Sequence, residues 1–252
     1  MHRFNTMPMQ DTLISIGKAA QLLGVSIDTL RRWDISGRLQ SVRSGPHGHR
    51  YYRQSDIEQY IEEVRILARN WAENSHGVEP KSDMYCQTRD IFQARLEIFQ
   101  SKLGRVAPLP TVSLVIAVAG EIGNNSFDHN LGNWPDIAGI FFSYSLRNKY
   151  VVLADRGQGI LTTLKRVRPE LTQDDEALKV SFTETLSGRF PETRGNGLKF
   201  VRSVIADNPL TLSFQTGNAY LYLQENDKNI VVEKADTFLR GCFAIIGFED
   251  LL

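Results

Sequence analysis

The stretch 15–34, SIGKAAQLLGVSIDTLRRWD, decides how the first quarter of the chain is read. Ala19, Leu22, Val25 and Leu30 fall where they can pack two short helices together, and Gly24 permits the tight turn between them. Ser26 has the hydroxyl that caps a new helix, expected over 27–36. This second helix exposes Thr29, Arg31 and Arg32 near its start, where the positive end of the helix dipole favours phosphate. Next, 39–53 reads LQSVRSGPHGHRYYR. Gly45, Pro46 and Gly48 mark a hairpin tip flanked by Arg43, His47, His49 and Arg50, with Tyr51 and Tyr52 behind it. A wing of this kind sets cations and aromatics on a duplex backbone. Ser55 then opens an amphipathic helix carrying Ile57, Tyr60, Ile61, Val64 and Leu67.

Charge is distributed to match. The chain of 252 residues has a formal net charge of zero. Between Thr12 and Arg53, however, Lys18, Arg31, Arg32, Arg38, Arg43, Arg50 and Arg53 face only Asp28 and Asp34. A basic segment on a neutral chain points to a nucleic-acid module joined to something else. A composition of 42% hydrophobic and 23% charged residues suits a soluble protein with a buried core. Cys86 and Cys242 lie far apart without metal-ligand spacing, so a disulfide framework or zinc site is not expected. No apolar run reaches membrane-spanning length and residues 1–11 lack a signal-peptide core, so a cytoplasmic protein without a membrane partner is expected.

The segments SIGKAAQLLGVS, DTLRRWD and GHRYYRQSDIEQY, in that order, resemble the MerR-type winged helix-turn-helix. The resemblance implies binding to double-stranded DNA, with Arg31 and Arg32 on the groove, Lys18, Thr29, Arg43 and His47 beside them, and Arg50 and Tyr51 on phosphate. It also implies that Trp33 packs the recognition helix against the wing. A homodimer is expected on symmetry grounds, because paired half-sites multiply a modest single-module affinity. The cysteine ligands of the usual MerR metal sensors are absent.

The remainder reads as helices and strands in alternation. Residues 70–84, NWAENSHGVEPKSDM, are polar with Gly77 and Pro80 and read as a linker. Helices are expected over 91–103 and then 111–131, the first ended by Pro108 and Pro110 and the second capped by Thr111. Paired strands follow over 137–146 and 150–154, then helices over 160–167, 174–185 and 196–207. The last strands are expected at 210–216, 219–224, 230–233 and 243–248. The domain map is therefore a winged helix over 12–69, a linker over 70–84 and an α/β sandwich over 85–252. Overall the class is α+β, with a mixed sheet covered by helices on one face in the second domain.

Three places in the second domain carry chemistry. Glu121 and Asn125 lie one helical turn apart on one face; an amide oxygen can ligate magnesium and a carboxylate can orient water. Asp155-Arg156-Gly157-Gln158-Gly159 follows an apolar strand and places an acid where it can accept from an exocyclic amino group. Arg194-Gly195-Asn196-Gly197-Leu198 opens a helix whose free amides suit phosphate. Read singly, each also fits an ordinary polar face or turn.

Together, in this order, the three resemble the ATP-binding domain of the GHKL superfamily, whose members include gyrase and sensor histidine kinases. The resemblance spans most of 85–248. It implies ATP and Mg2+ as cofactors, Asn125 as the metal ligand, Asp155 as the adenine acceptor and Gly157 and Gly159 as the shapers of its pocket. Gly195, Gly197 and Leu198 would face phosphate, Glu121 would activate water, 160–194 would form a mobile lid, and Gly241 would be a remnant of a final glycine box. Thr193 and Cys242 depart from the superfamily's usual glycine and threonine. The leading expectation is a DNA-binding transcription regulator in which nucleotide state modulates DNA or partner binding. The alternatives are an anti-sigma-like protein serine/threonine kinase or a slow Mg-dependent ATPase acting on a partner protein, in a mobile-element or defence setting.

Overall fold

The computed structural model describes residues 12–23, 25–37, 39–44, 48–184 and 197–248, apart from the side chains of 61–63. His47 and Gly195, two expected site residues, lie outside these, as do Gly24, Arg38 and Thr193. The chain divides into two compact units, the first reaching to Val64 and including Ser145–Arg147, the second holding Arg65–Tyr144 and the chain from Asn148 onward.

The first unit contains β1 (Leu13–Ser15), α1 (Ile16–Leu23), α2 (Ile27–Ile35), β2 (Val42–Ser44), β3 (His49–Arg53) and the first half of α3 (Gln54–Glu73). Ser26 caps α2 as its residue type dictates, its hydroxyl accepting from the Thr29 amide at 3.0 Å. The three strands lie in the order β1-β3-β2, both pairings antiparallel. The short edge strand β1 is not anticipated from the sequence, because three residues carry too little period-2 pattern to register. Ala19, Leu30, Tyr52 and Ile57 are fully buried, and the Tyr52 hydroxyl donates to the Leu30 carbonyl at 3.2 Å. Trp33 packs on Tyr60 of α3, ring centroids 5.1 Å apart.

In the second unit α3 continues through Glu73 with Trp71 and Ala72 buried, so residues 70–73 are helix and not linker. Arg69 anchors this half of α3 within the unit, donating to Gln215 at 3.2 Å and Thr237 at 3.1 Å. The elements that follow are β4 (Tyr85–Cys86), α4 (Arg89–Leu103), α5 (Leu109–Asn130), β5 (Ile140–Ser145) and β6 (Tyr150–Asp155). After them come α6 (Gly159–Leu164), α7 (Asp174–Thr183), α8 (Gly197–Asp207), β7 (Thr211–Leu223) and β8 (Val232–Gly247). The sheet runs β4-β5-β6-β8-β7, and α5, α7 and α8 pack on it. Phe92 meets Phe142 edge-on at 5.3 Å and Phe99 stacks on Tyr144 at 4.3 Å, joining α4 to β5.

Three sequence-based expectations differ from the structure. Helix α5 starts two residues before Thr111, with Pro108 as its N-cap and Pro110 in the first turn, where a missing amide removes no helix bond. Thr111 is buried within the helix instead. The four expected final strands are two long ones, because the pairing of β7 with β8 runs through two register shifts at Thr216–Ala219. Gly217, read as a break, takes φ 56° at that irregularity and keeps the hairpin whole. The pairings β4–β5, β6–β8 and β7–β8 are all antiparallel, where a mixed sheet was expected. The described part of the expected lid, 160–184, holds the two helices expected there, α6 and α7, with Leu164, Leu171 and Ala177 in a small core of their own.

Candidate functional site

In the first unit, the recognition surface is set by α2 and the wing strands. Arg31 pairs with Asp28 at 2.7 Å and Arg32 donates to Thr29 at 3.3 Å, both at exposed positions on α2, Arg32 in its last turn. Exposed pairs of this kind contribute about 0–1 kcal/mol and exchange readily for phosphate. Lys18, on α1, is exposed and reaches Gln21 at 3.4 Å. Arg43 and Arg50 are held more firmly. Asp34 at the end of α2 takes Arg50 at 2.7 Å, Arg43 at 3.2 Å and the Ser41 amide at 2.8 Å. Burial works to raise the Asp34 carboxyl, but the Ser41 amide and the Arg50 guanidinium overcome it and lower the value to about 2. Tyr51, half-buried on β3, is paired with Ser15 and Val42 across the sheet. Asp34 is a site residue the sequence reading missed; an acid among cations at the end of a helix is its only sequence signal.

Residues 15–52 match the MerR family of regulatory proteins. The chain thus carries a MerR-family helix-turn-helix, a module of DNA-binding regulators, in the region that holds Lys18, Thr29, Arg31, Arg32, Arg43, Arg50 and Tyr51.

In the second unit, helix α5 brings together the first two expected places and Gly197, the first described residue of the third. Glu121 and Asn125 occupy one face, half-buried, and meet the first residue of α8. A Cβ on Gly197 would lie 2.5 Å from Glu121 Oε2 and 3.3 Å from the Asn125 amide nitrogen, so the start of α8 comes close to both side chains. Leu198 sits half-buried in the same first turn, whose amides have no partner inside the helix. One residue beyond Asn125, the Ser126 hydroxyl donates to Asp155 Oδ2 at 2.7 Å, tying α5 to the end of β6. Asn125 and Asp155 are therefore separated by one residue and one hydrogen bond.

Asp155 is only 2% exposed. Besides Ser126, the Gly157 amide donates to its Oδ1 at 2.8 Å and the Cys242 amide donates to the carboxylate. Burial outweighs these three donors and pushes its pKa up. A carboxylate has about four acceptor directions, and these donors take three of them. The turn after it is fixed by Asn130, whose side chain accepts from the Gln158 amide at 2.8 Å and donates to the Ser126 carbonyl at 2.7 Å. Asn130 fills the space a Cβ on Gly157 would need. Gly159 takes φ +75° with its backbone against the Arg240 carbonyl, and the Ile160 amide donates to Thr216 at 3.2 Å. Gly241 lies directly against Asp155. Ser126, Asn130 and Thr216 escape sequence reading because each acts on a residue far away in the chain.

Arg156 is 2% exposed and turns away from this cluster. It bonds Asp136 through Nε at 3.0 Å and a terminal nitrogen at 2.6 Å. Burial works to raise the Asp136 carboxyl, but Arg156, the Ile137 amide and Arg240 bring it below the ordinary value. Burial pushes the Cys86 thiol up to about 11 and the Cys242 thiol well above its ordinary value, so neither offers a thiolate for nucleophilic chemistry. Among the described residues, no three His, Cys, Asp or Glu side chains gather to hold a metal ion, and no helix is long and apolar enough to cross a membrane.

Over 222 residues the chain is 21% identical to the Type II methyltransferase M.Eco47II of Escherichia coli, covering 79% of this chain and 49% of that protein. The chain thus spans about half the length of the curated relative it matches.

Proposed function

We propose that the second unit binds ATP with Mg2+ and that nucleotide state modulates DNA binding by the MerR-type unit. The observation that supports this is the meeting of Glu121 and Asn125 with the start of α8, one hydrogen-bonded step from the buried acceptor Asp155. Asp155 would accept from the adenine amino group. The free amides at Gly197 and Leu198 would take phosphate, assisted by the helix dipole. Asn125 would supply one oxygen to a magnesium ion whose other ligands are phosphate and water, the coordination that ion prefers. The Gly197 cradle fits this group, because it keeps a side chain out of the space beside both polar residues. The ion, when bound, neutralises charge on the triphosphate. A water bound at the same place would meet Glu121, whose carboxylate could take its proton, and slow hydrolysis would then accompany the switch. On DNA, two copies of the chain would read paired half-sites.

Calorimetric titration of the chain with MgATP tests the reading. Binding that is weakened in Asp155→Asn and kept in Glu121→Ala supports it; no binding by the wild-type chain overturns it. The likeness to a methyltransferase favours a second reading, in which an adenosine-containing methyl donor occupies the same acceptor. S-adenosylmethionine binding more tightly than ATP would favour that reading, and phosphate appearing on a co-purified protein would favour the kinase.

A further inference from the structure

Asp155 and Arg156 are adjacent, and successive side chains of an extended strand leave in opposite directions. One carries the acceptor of the proposed nucleotide site. The other carries a guanidinium into the end of α3. Its Nη1 donates to the carbonyls of Trp71 at 2.6 Å and Asn74 at 2.7 Å, with Ala72 at 3.4 Å. The last carbonyls of a helix have no partner within it, and a cation there also meets the negative end of the helix dipole. Arg156 is thus the cap of α3. Its remaining donors are taken by Asp136, which also receives Arg240 at 3.3 Å. Arg240 leads into Gly241 and Cys242, which return to Asp155. These interactions form a closed ring from the acceptor through Arg156, Asp136 and Arg240 back to the acceptor.

Burying a guanidinium costs several kcal/mol before its partners offset it, and an apolar side chain would fill the same volume at less cost. We propose that Arg156 is a positioning residue that reports occupancy of the Asp155 site to the end of α3, the helix that begins in the MerR-type unit. When a base donor draws on Asp155, the backbone at 155–157 adjusts. Asn130 blocks relaxation at Gly157, so the displacement passes to Arg156 and the carbonyls it holds. The proposal rests on the nucleotide reading above.

The test uses the full chain with Arg156→Gln, Arg156→Lys and Asp136→Asn. It measures ATP affinity, the ATP-induced change in DNA affinity, and hydrogen exchange of the amides at 74–78. In the wild-type chain ATP is expected to change DNA affinity at least about fivefold, a typical coupling, and to slow exchange at 74–78. Arg156→Gln should keep ATP affinity within about threefold, an effect too small for removal of a group that touches the ligand. It should also reduce the change on DNA to under about twofold, losing the coupling itself, and speed exchange at 74–78 without nucleotide. Arg156→Lys should restore part of the coupling, and Asp136→Asn should weaken it if the glutamine variant does not fold. Full coupling in the glutamine variant, or in the asparagine variant should the former not fold, overturns the proposal. So does loss of ATP binding together with the coupling. A wild-type chain that binds no ATP overturns the nucleotide reading first, an outcome visible before any variant is made.

Discussion

At the residue scale, Asp155 is an acid surrounded by donors yet held protonation-prone by burial. Replacing it by Asn keeps one acceptor for the Gly157 and Cys242 side and presents an amide to Ser126, whose hydroxyl can turn to accept. The fold should therefore tolerate Asp155→Asn, whereas a base amino group would meet a donor instead of an acceptor. ATP affinity should fall about 10- to 150-fold, the worth of a hydrogen bond to a charged group. Because the folded-state pKa is raised, ionised Asp155 lowers stability at neutral pH, and this loss is relieved as pH falls through the folded value. The Asn variant should melt at or above the wild-type temperature at pH 7, with the gap narrowing on acidification. A variant that melts well below wild type at pH 7 would mean that the carboxylate is a structural necessity. Asp34 has the opposite sign. Its folded value of about 2 lies below the ordinary carboxylate value of 3.8, so its stabilisation is present above about 4 and disappears as pH falls towards 2. Both cysteines should resist a thiol reagent at pH 8 until the chain unfolds, since each is buried or nearly so with a raised pKa.

At the element scale, the meeting of α5 with α8 depends on Gly197. A methyl there would press on Glu121 Oε2, the end of a flexible side chain that can swing away. Alanine also favours the helix. Gly197→Ala should therefore change stability by less than about 1 kcal/mol, while weakening ATP more than adenosine, because the disturbance falls on the phosphate side. Equal loss for both ligands would place the triphosphate elsewhere. What the sequence discloses is also sorted by element. Helices α2 and α8 are legible, since capping, glycine and apolar period sit within a dozen neighbouring residues. The pair Glu121 and Asn125 is legible for the same reason, being one turn apart. The β7–β8 hairpin is not, because Gly217 reads as a stop until its partner strand shows the irregularity it serves. The cap on α3 is not legible either. Trp71 and Arg156 are 85 residues apart, and an arginine beside an Asp/Gly turn gives no sign of being buried.

At the scale of the whole molecule, the two units differ in how they meet charge. The first displays arginines in loose exposed pairs on α2 and in tighter ones on Asp34. On DNA, Arg31→Ala with Arg32→Ala should reduce the slope of log affinity against log salt by about 2, close to one for each phosphate that is no longer neutralised. An unchanged slope would move α2 off the backbone. The second unit gathers polar groups inward around Asp155, Ser126 and Asn130. If nucleotide occupancy of one unit changes DNA affinity of the other, thermodynamics requires the reverse effect at equal strength. A DNA fragment selected from a random duplex pool supplies the measurement. Its affinity is taken with and without saturating MgATP, and ATP affinity is taken with and without saturating DNA. The two ratios should agree, and at a typical coupling they fall between about 5 and 150, or roughly 1–3 kcal/mol. Ratios that both equal one would leave the units functionally independent. Ratios that differ would mean that a third equilibrium, pairing of two chains on the half-sites, is being shifted by only one of the ligands.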